Sequence, residues 1–167
     1  MKNPNQQELN RLIDEAIKLE QNMAGLYNRF AYWFPEDKEF WWTLVMEEKN
    51  HAALLRSGKE SFLPNGLFPT GMLPDSRGEL ETANQKISEF IQQFKGSQPS
   101  KSEAFNIAYA MERSAGEYHY QFFMDKPVES NMERVFKQLN QGDKDHASRI
   151  YQYMVNQGIA FEGEYKI

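Results

Sequence analysis

Two stretches, EEKNHAALL at residues 47–55 and GDKDHASRI at residues 142–150, each set an acid three positions before a histidine. Glu48 precedes His51, and Asp143 precedes His146. Side chains three apart on an α-helix are neighbours on its surface, so each pair can address one ligand. Carboxylate and imidazole together make a hard oxygen/nitrogen donor set, the kind that binds divalent transition metals. A lone pair of this sort is more often a solvated surface pair, and the setting distinguishes the two uses. With about 100° of rotation per residue, Trp41, Leu44, Glu48, His51, Ala52 and Leu55 fall on one narrow face. Leu139, Asp143, His146, Ala147, Ile150 and Met154 fall on another. Both polar pairs therefore lie inside apolar stripes.

The same test finds two further acids. Glu20 is central to a stripe of Ile13, Ile17, Ala24 and Tyr27, and Glu112 to one of Phe105, Tyr109, Gly116, His119 and Phe123. Burying carboxylates without partners is very costly, and several ionised acids in one core repel one another. A pair of divalent cations removes both problems. Iron, manganese and zinc all accept such ligands. Ala24, Ala52, Ala115, Gly116 and Ala147 are small enough to let helices approach and a ligand enter.

The elements that must carry these residues read as helices. A first helix is expected from about Gln6 to Trp33, ending at Phe34-Pro35 because the residue before proline disfavours helical dihedrals. A second starts near Glu36–Asp37 and runs to about Ser57, with Gly58 as its stop. Residues 58–79 are rich in Gly and Pro and read as an irregular connection. A short amphipathic helix follows at 80–95, with Ile87, Phe90, Ile91 and Phe94 on one side. Ser100 and Glu103 have capping-box spacing and open a third long helix to about Met124. A fourth runs from Pro127 to about Asn156, closed by Gly158. The expected fold is all-α: a four-helix bundle of two hairpins, with a long helix 2–helix 3 crossover that holds the extra short helix. With 167 residues the chain is one domain, 1–167.

Composition bounds the function. There are no cysteines, which excludes disulfides, thiolate metal sites, iron–sulfur clusters and a cysteine nucleophile. The net charge of −5 and the lack of a Lys/Arg cluster argue against nucleic acid as a partner. The opening MKNPNQQELNRLIDE has no apolar signal stretch, and no run is long enough to span a membrane. The expectation is a cytoplasmic protein with no membrane partner. Glu47 lies at the edge of its stripe and reads as a solvated partner of a Lys or Arg. The aromatic run AYWFPEDKEFWW suits packing within the fold first and a homodimer contact second.

Together these residues resemble the ferritin-like di-iron carboxylate superfamily, whose pattern is E…ExxH…E…ExxH on four helices. The stretches LEQNMAGLYNRFAYWF, MEEKNHAALL and AYAMERSAGEYHYQFF are most similar to its rubrerythrin branch, over about residues 6–156. The resemblance implies Glu20 and Glu112 as terminal carboxylates, Glu48 and Asp143 as bridging ones, and His51 and His146 as nitrogen ligands of two irons. It implies Tyr27 as a tyrosine beside the metal ligands; packing is its other use. His119 fits either a proton donor beside the site or a core histidine bonded to a carbonyl. The implied activity is reduction of hydrogen peroxide or O₂, with ferroxidase chemistry close behind. Two departures from the pattern stand out: Asp143 replaces a glutamate, and no cysteine-rich rubredoxin domain is present. Electrons would then come from a separate donor protein such as a rubredoxin. A different class remains open: a non-catalytic helical module that binds metal weakly or at one site.

Overall fold

The computed structural model describes residues 6–113, 122–139 and 145–162. All regular structure among them is helical, so the all-α expectation holds. Helix α1 spans Gln6–Trp33 and α2 spans Lys38–Phe62, joined by a tight 3₁₀ turn at Pro35–Asp37. Proline supplies the fixed φ that starts such a turn. The turn folds α2 back against α1, and the two pack along their length. Helix α3, Arg77–Gln93, lies on α1. A buried asparagine pins it there: Asn84 accepts from Asn22 Nδ2 at 2.8 Å and donates to the Glu15 carbonyl at 3.1 Å.

Helix α4, Lys101–Glu112, opens with the expected capping box: Glu103 N donates to Ser100 Oγ at 3.2 Å, and Ser100 N donates to Glu103 Oε2 at 2.8 Å. This satisfies two amide donors that a helix N-terminus otherwise leaves orphaned. A helical stretch at 122–125, then α5 at Asn131–Leu139 and α6 at His146–Gln157, complete the described chain. Helix α6 packs on α4. Residues past Gly158 return to α4, where the Ala160 carbonyl accepts from Asn106 Nδ2 at 3.0 Å.

One end of the core is aromatic. Trp41 is wholly buried and meets Tyr27, Phe40 and Phe105, while Tyr153 of α6 stacks on Phe40 at 4.1 Å between centroids. Just outside this cluster, Asp37 accepts from Lys101 Nζ and from the Tyr153 hydroxyl, each at 2.8 Å. The Asp37 carboxylate thus ties the α1–α2 turn to α4 and α6. The aromatic run expected to pack inside the fold does so at Trp41, although Tyr32 is 83 % exposed.

Several element boundaries differ from the sequence reading, among them the third long helix, which ends at Glu112 and not at about Met124. Helix α2 passes through Gly58 and ends at Phe62. Gly58 is no stop; it is buried, and a Cβ there would stand 2.3 Å from Phe136 Cζ. The glycine makes room for a ring from α5 instead of ending a helix. The irregular connection therefore shrinks to 63–76, and it buries Leu63, Phe68, Met72 and Leu73. Helix α3 accordingly starts at Arg77, with Ser76 Oγ accepting from Gly78 N at 3.2 Å. Finally, the single fourth helix expected from Pro127 to Asn156 is divided. Asp145 sits at φ 62°, ψ 42°, left-handed backbone that no α-helix continues through. Aspartate is one of the few residues that adopt it readily. Gly158, at φ 63°, closes α6 as expected.

Candidate metal centre

Four helices deliver acids and imidazoles to one buried spot. Glu20 comes from the middle of α1, Glu48 and His51 from adjacent turns of α2, Glu112 from the end of α4 and His146 from the start of α6. All five are buried, Glu48 completely. The apolar stripes explain this: Ile13, Ile17, Leu44, Leu55, Phe105, Ile150 and Met154 are buried too, and each carries its polar neighbour inward with it.

Glu48 is the centre of the arrangement. Its Oε2 lies 3.5 Å from His51 Nδ1, and its Oε1 lies 3.0 Å from His146 Nδ1. Each imidazole then meets a second acid through the same nitrogen. Glu20 Oε2 is 3.6 Å from His51 Nδ1, and Glu112 Oε2 is 3.3 Å from His146 Nδ1. The two rings lie nearly parallel, with centroids 5.3 Å apart. The result is two half-sites, Glu20/His51 and Glu112/His146, that share Glu48. Tyr27, also fully buried, donates its hydroxyl hydrogen to Glu112 Oε1 and fixes that carboxylate.

The charges are mutually dependent. Burial pushes the Glu20 carboxyl up, against the pull of His51, to about 7. Burial and the Glu112 charge act to raise Glu48 as well, but His146 and His51 outweigh them and hold it below the usual carboxylate range. Burial alone lowers a histidine pKa. Here the facing carboxylates win, and both His51 and His146 are held well above their usual value.

Do these residues suit a metal? Glu48, His51 and His146 offer ligand atoms that all lie within 4.8 Å of one another, so the cluster could hold a metal ion. Both oxygens of Glu48, Oε2 of Glu20, Oε2 of Glu112 and both nitrogens of His146 are buried and make no directed hydrogen bond. Buried polar atoms are normally satisfied, and so many convergent acceptors in one place are what a cation satisfies. The oxygen and nitrogen donors fit iron, manganese or zinc.

Of the residues singled out from the sequence, Glu20, Tyr27, Glu48, His51, Glu112 and His146 come together. Asp143 and His119 lie outside the described residues. Helix α6 begins at His146, directly after left-handed Asp145. Glu47 needs a correction. It has the expected cationic partner, Arg149, whose Nη1 donates to Oε1 at 2.8 Å and whose Nη2 reaches Oε2. Yet Glu47 is buried, not solvated, and its Oε2 lies 3.3 Å from His146 Nε2. Arg149 was missed altogether. Its signal was its place three residues after His146, on a neighbouring face of the same helix.

A cavity of about 350 Å³ reaches Glu112 and His146 from outside, flanked by Tyr109, Arg113, Ser148 and Tyr151. No helix among the described residues is long and apolar enough to cross a membrane. Compared with family models, curated proteins and solved structures, the chain gives no match.

Proposed function

We propose that the chain is a non-haem di-iron oxidoreductase of the ferritin-like type, similar to the rubrerythrin branch, built as a four-helix bundle on α1, α2, α4 and α6 with α3 in the crossover. One observation carries this reading. Glu48 turns its two oxygens toward the Nδ1 atoms of two different histidines, at 3.5 and 3.0 Å, and each histidine has its own further carboxylate. A carboxylate shared by two half-sites is the arrangement a two-metal centre needs. Iron is favoured by the redox role, and manganese or zinc fit the same donors.

When bound, a pair of ferrous irons supplies two electrons for reducing hydrogen peroxide, with two protons, to two waters, or for reducing O₂. The protein's own groups do the rest. Glu20, Glu48 and Glu112 balance cationic charge in a dry core. Tyr27 orients Glu112 and stands within one hydrogen bond of it as a proton source. The cavity beside Glu112 and His146 gives a small oxidant its path. None of the 167 residues is a cysteine, so in this reading electrons reach the centre from outside them, from a donor such as a rubredoxin.

A single-metal, non-catalytic helical module is the second reading. It is favoured by the convergence of only Glu48, His51 and His146 within reach of one ion among the described residues. Anaerobic Fe(II) titration with elemental analysis separates the two. The oxidoreductase binds two irons per chain, peroxide then oxidises them, and Glu48→Ala abolishes both. One metal or none, with no response to Glu48→Ala, sinks the enzyme reading.

A further inference from the structure

We infer that Glu47 is a positioning residue for His146, fixing which imidazole nitrogen faces the centre. This rests on the metal reading above. Glu47 and Glu48 are consecutive on α2 and point about 100° apart, yet both reach the same ring. Glu48 Oε1 lies 3.0 Å from Nδ1, and Glu47 Oε2 lies 3.3 Å from Nε2. Two neighbouring carboxylates thus grip opposite edges of one imidazole. Glu47 is held in turn by Arg149, three residues along α6 from His146, whose Nη1 and Nη2 take its two oxygens. The fork of the guanidinium suits a carboxylate in this bidentate way.

The grip has a chemical consequence. A metal-bound imidazole must be unprotonated at the ligating nitrogen, and a partner on the other nitrogen decides which one that is. The Glu47 carboxylate, 3.3 Å from Nε2, favours the proton on that nitrogen, which leaves Nδ1 to the metal, alongside Glu48 and Glu112. Such a carboxylate also makes the ring a stronger donor and holds its orientation. Without Glu47, nothing on the Nε2 edge favours a proton there over one on Nδ1.

The test uses the full chain loaded anaerobically with Zn(II), which is diamagnetic, and ¹⁵N-labelled histidine. In the wild type the His146 signal is expected to show Nδ1 bound to zinc, with Nε2 protonated and slow to exchange with water. Glu47→Ala is expected to weaken zinc binding by about 10–100-fold and to lose the protected Nε2–H signal. Glu47→Gln keeps an acceptor oxygen, so its affinity should fall by less than that of Glu47→Ala. The neutral amide is a weaker acceptor than a carboxylate, so its Nε2 proton should exchange faster. If Glu47→Ala does not fold, the exchange rate in Glu47→Gln decides: a rate equal to wild type overturns the inference. Zinc bound through Nε2 in the wild type also overturns it and leaves the metal reading intact. A wild type that binds no zinc removes the metal reading and this inference with it.

Discussion

Tyr27 on α1 donates its hydroxyl hydrogen to Glu112 Oε1 on α4, across 85 positions of sequence. Both groups are buried, so the bond couples the packing of two helices to the placement of an acid. Replacing Tyr27 by Phe leaves a buried carboxylate oxygen without its donor. The expected loss is about 1–3 kcal/mol, read as a lower urea midpoint with unchanged slope. Metal affinity should fall in parallel, because Glu112 then has more than one orientation open to it. A Tyr27→Phe protein with wild-type stability and affinity would show the bond to be incidental.

Metal binding should release protons. His51 and His146 are held well above their usual pKa by the carboxylates around them, and Glu20 is raised to about 7. These groups carry protons near neutrality in the metal-free protein, and ligation removes them. Affinity for Zn(II) or Fe(II) should therefore rise as pH passes about 7, where Glu20 gives up its proton, and go on rising as the histidines lose theirs. Calorimetry in two buffers of different ionisation enthalpy measures the protons released, and a buffer-independent heat would contradict the prediction.

The Asp37 network predicts an alkaline limit to stability. Burial and the Asp37 carboxylate push the Tyr153 hydroxyl from 10.0 up to about 12. A raised folded-state pKa means the contribution is fully present below pH 10 and is lost as pH rises from 10 to about 12. Tyr153→Phe should cost about 1 kcal/mol at neutral pH and flatten this alkaline decline. Lys101→Met is the more damaging change. It removes the cation that faces Asp37 Oδ2 at 2.7 Å, and about 2 kcal/mol is expected, since Lys101 is itself partly exposed. Denaturant titrations at pH 7, 10 and 11 check both.

Gly58→Ala should destabilise the chain. In an open helix the change would stabilise by up to about 1 kcal/mol. Here the added Cβ meets Phe136 Cζ at 2.3 Å, with Phe136 Cε1 and Phe68 Cε2 both at 3.2 Å. Rigid rings cannot yield without moving their neighbours, and overpacking of this kind costs about 1–3 kcal/mol. A net loss in thermal midpoint is expected, and a gain would mean that Phe136 has room to retreat.

Much of the site was legible before any folding was considered. The period of the helix is local, so Glu20, Glu48, His51 and Glu112 could be placed on apolar stripes from spacing alone. The capping box at Ser100 and the stop at Gly158 were likewise short-range signals. Gly58 misled because glycine has two uses. It ends helices through its backbone freedom and admits close neighbours through its missing side chain, and only the position of Phe136 tells which applies. Asp145 misled in the opposite sense. Its composition and spacing allow a helix, while its left-handed backbone breaks one.

By itself, then, the sequence determined an all-helical chain whose long helices turn acids and imidazoles toward its apolar side. Hydrophobic periodicity suffices for that, because each helix is specified by its own residues. Tertiary structure decided the pairings. It set Glu48 between two histidines, joined Tyr27 to Glu112, and drew Glu47 and Arg149 in beside His146. Those distances depend on how far one helix lies from another and at what rotation. Glu47 and Glu48 differ by a single step along α2, so the position of α6 alone settles which nitrogen of His146 each one meets.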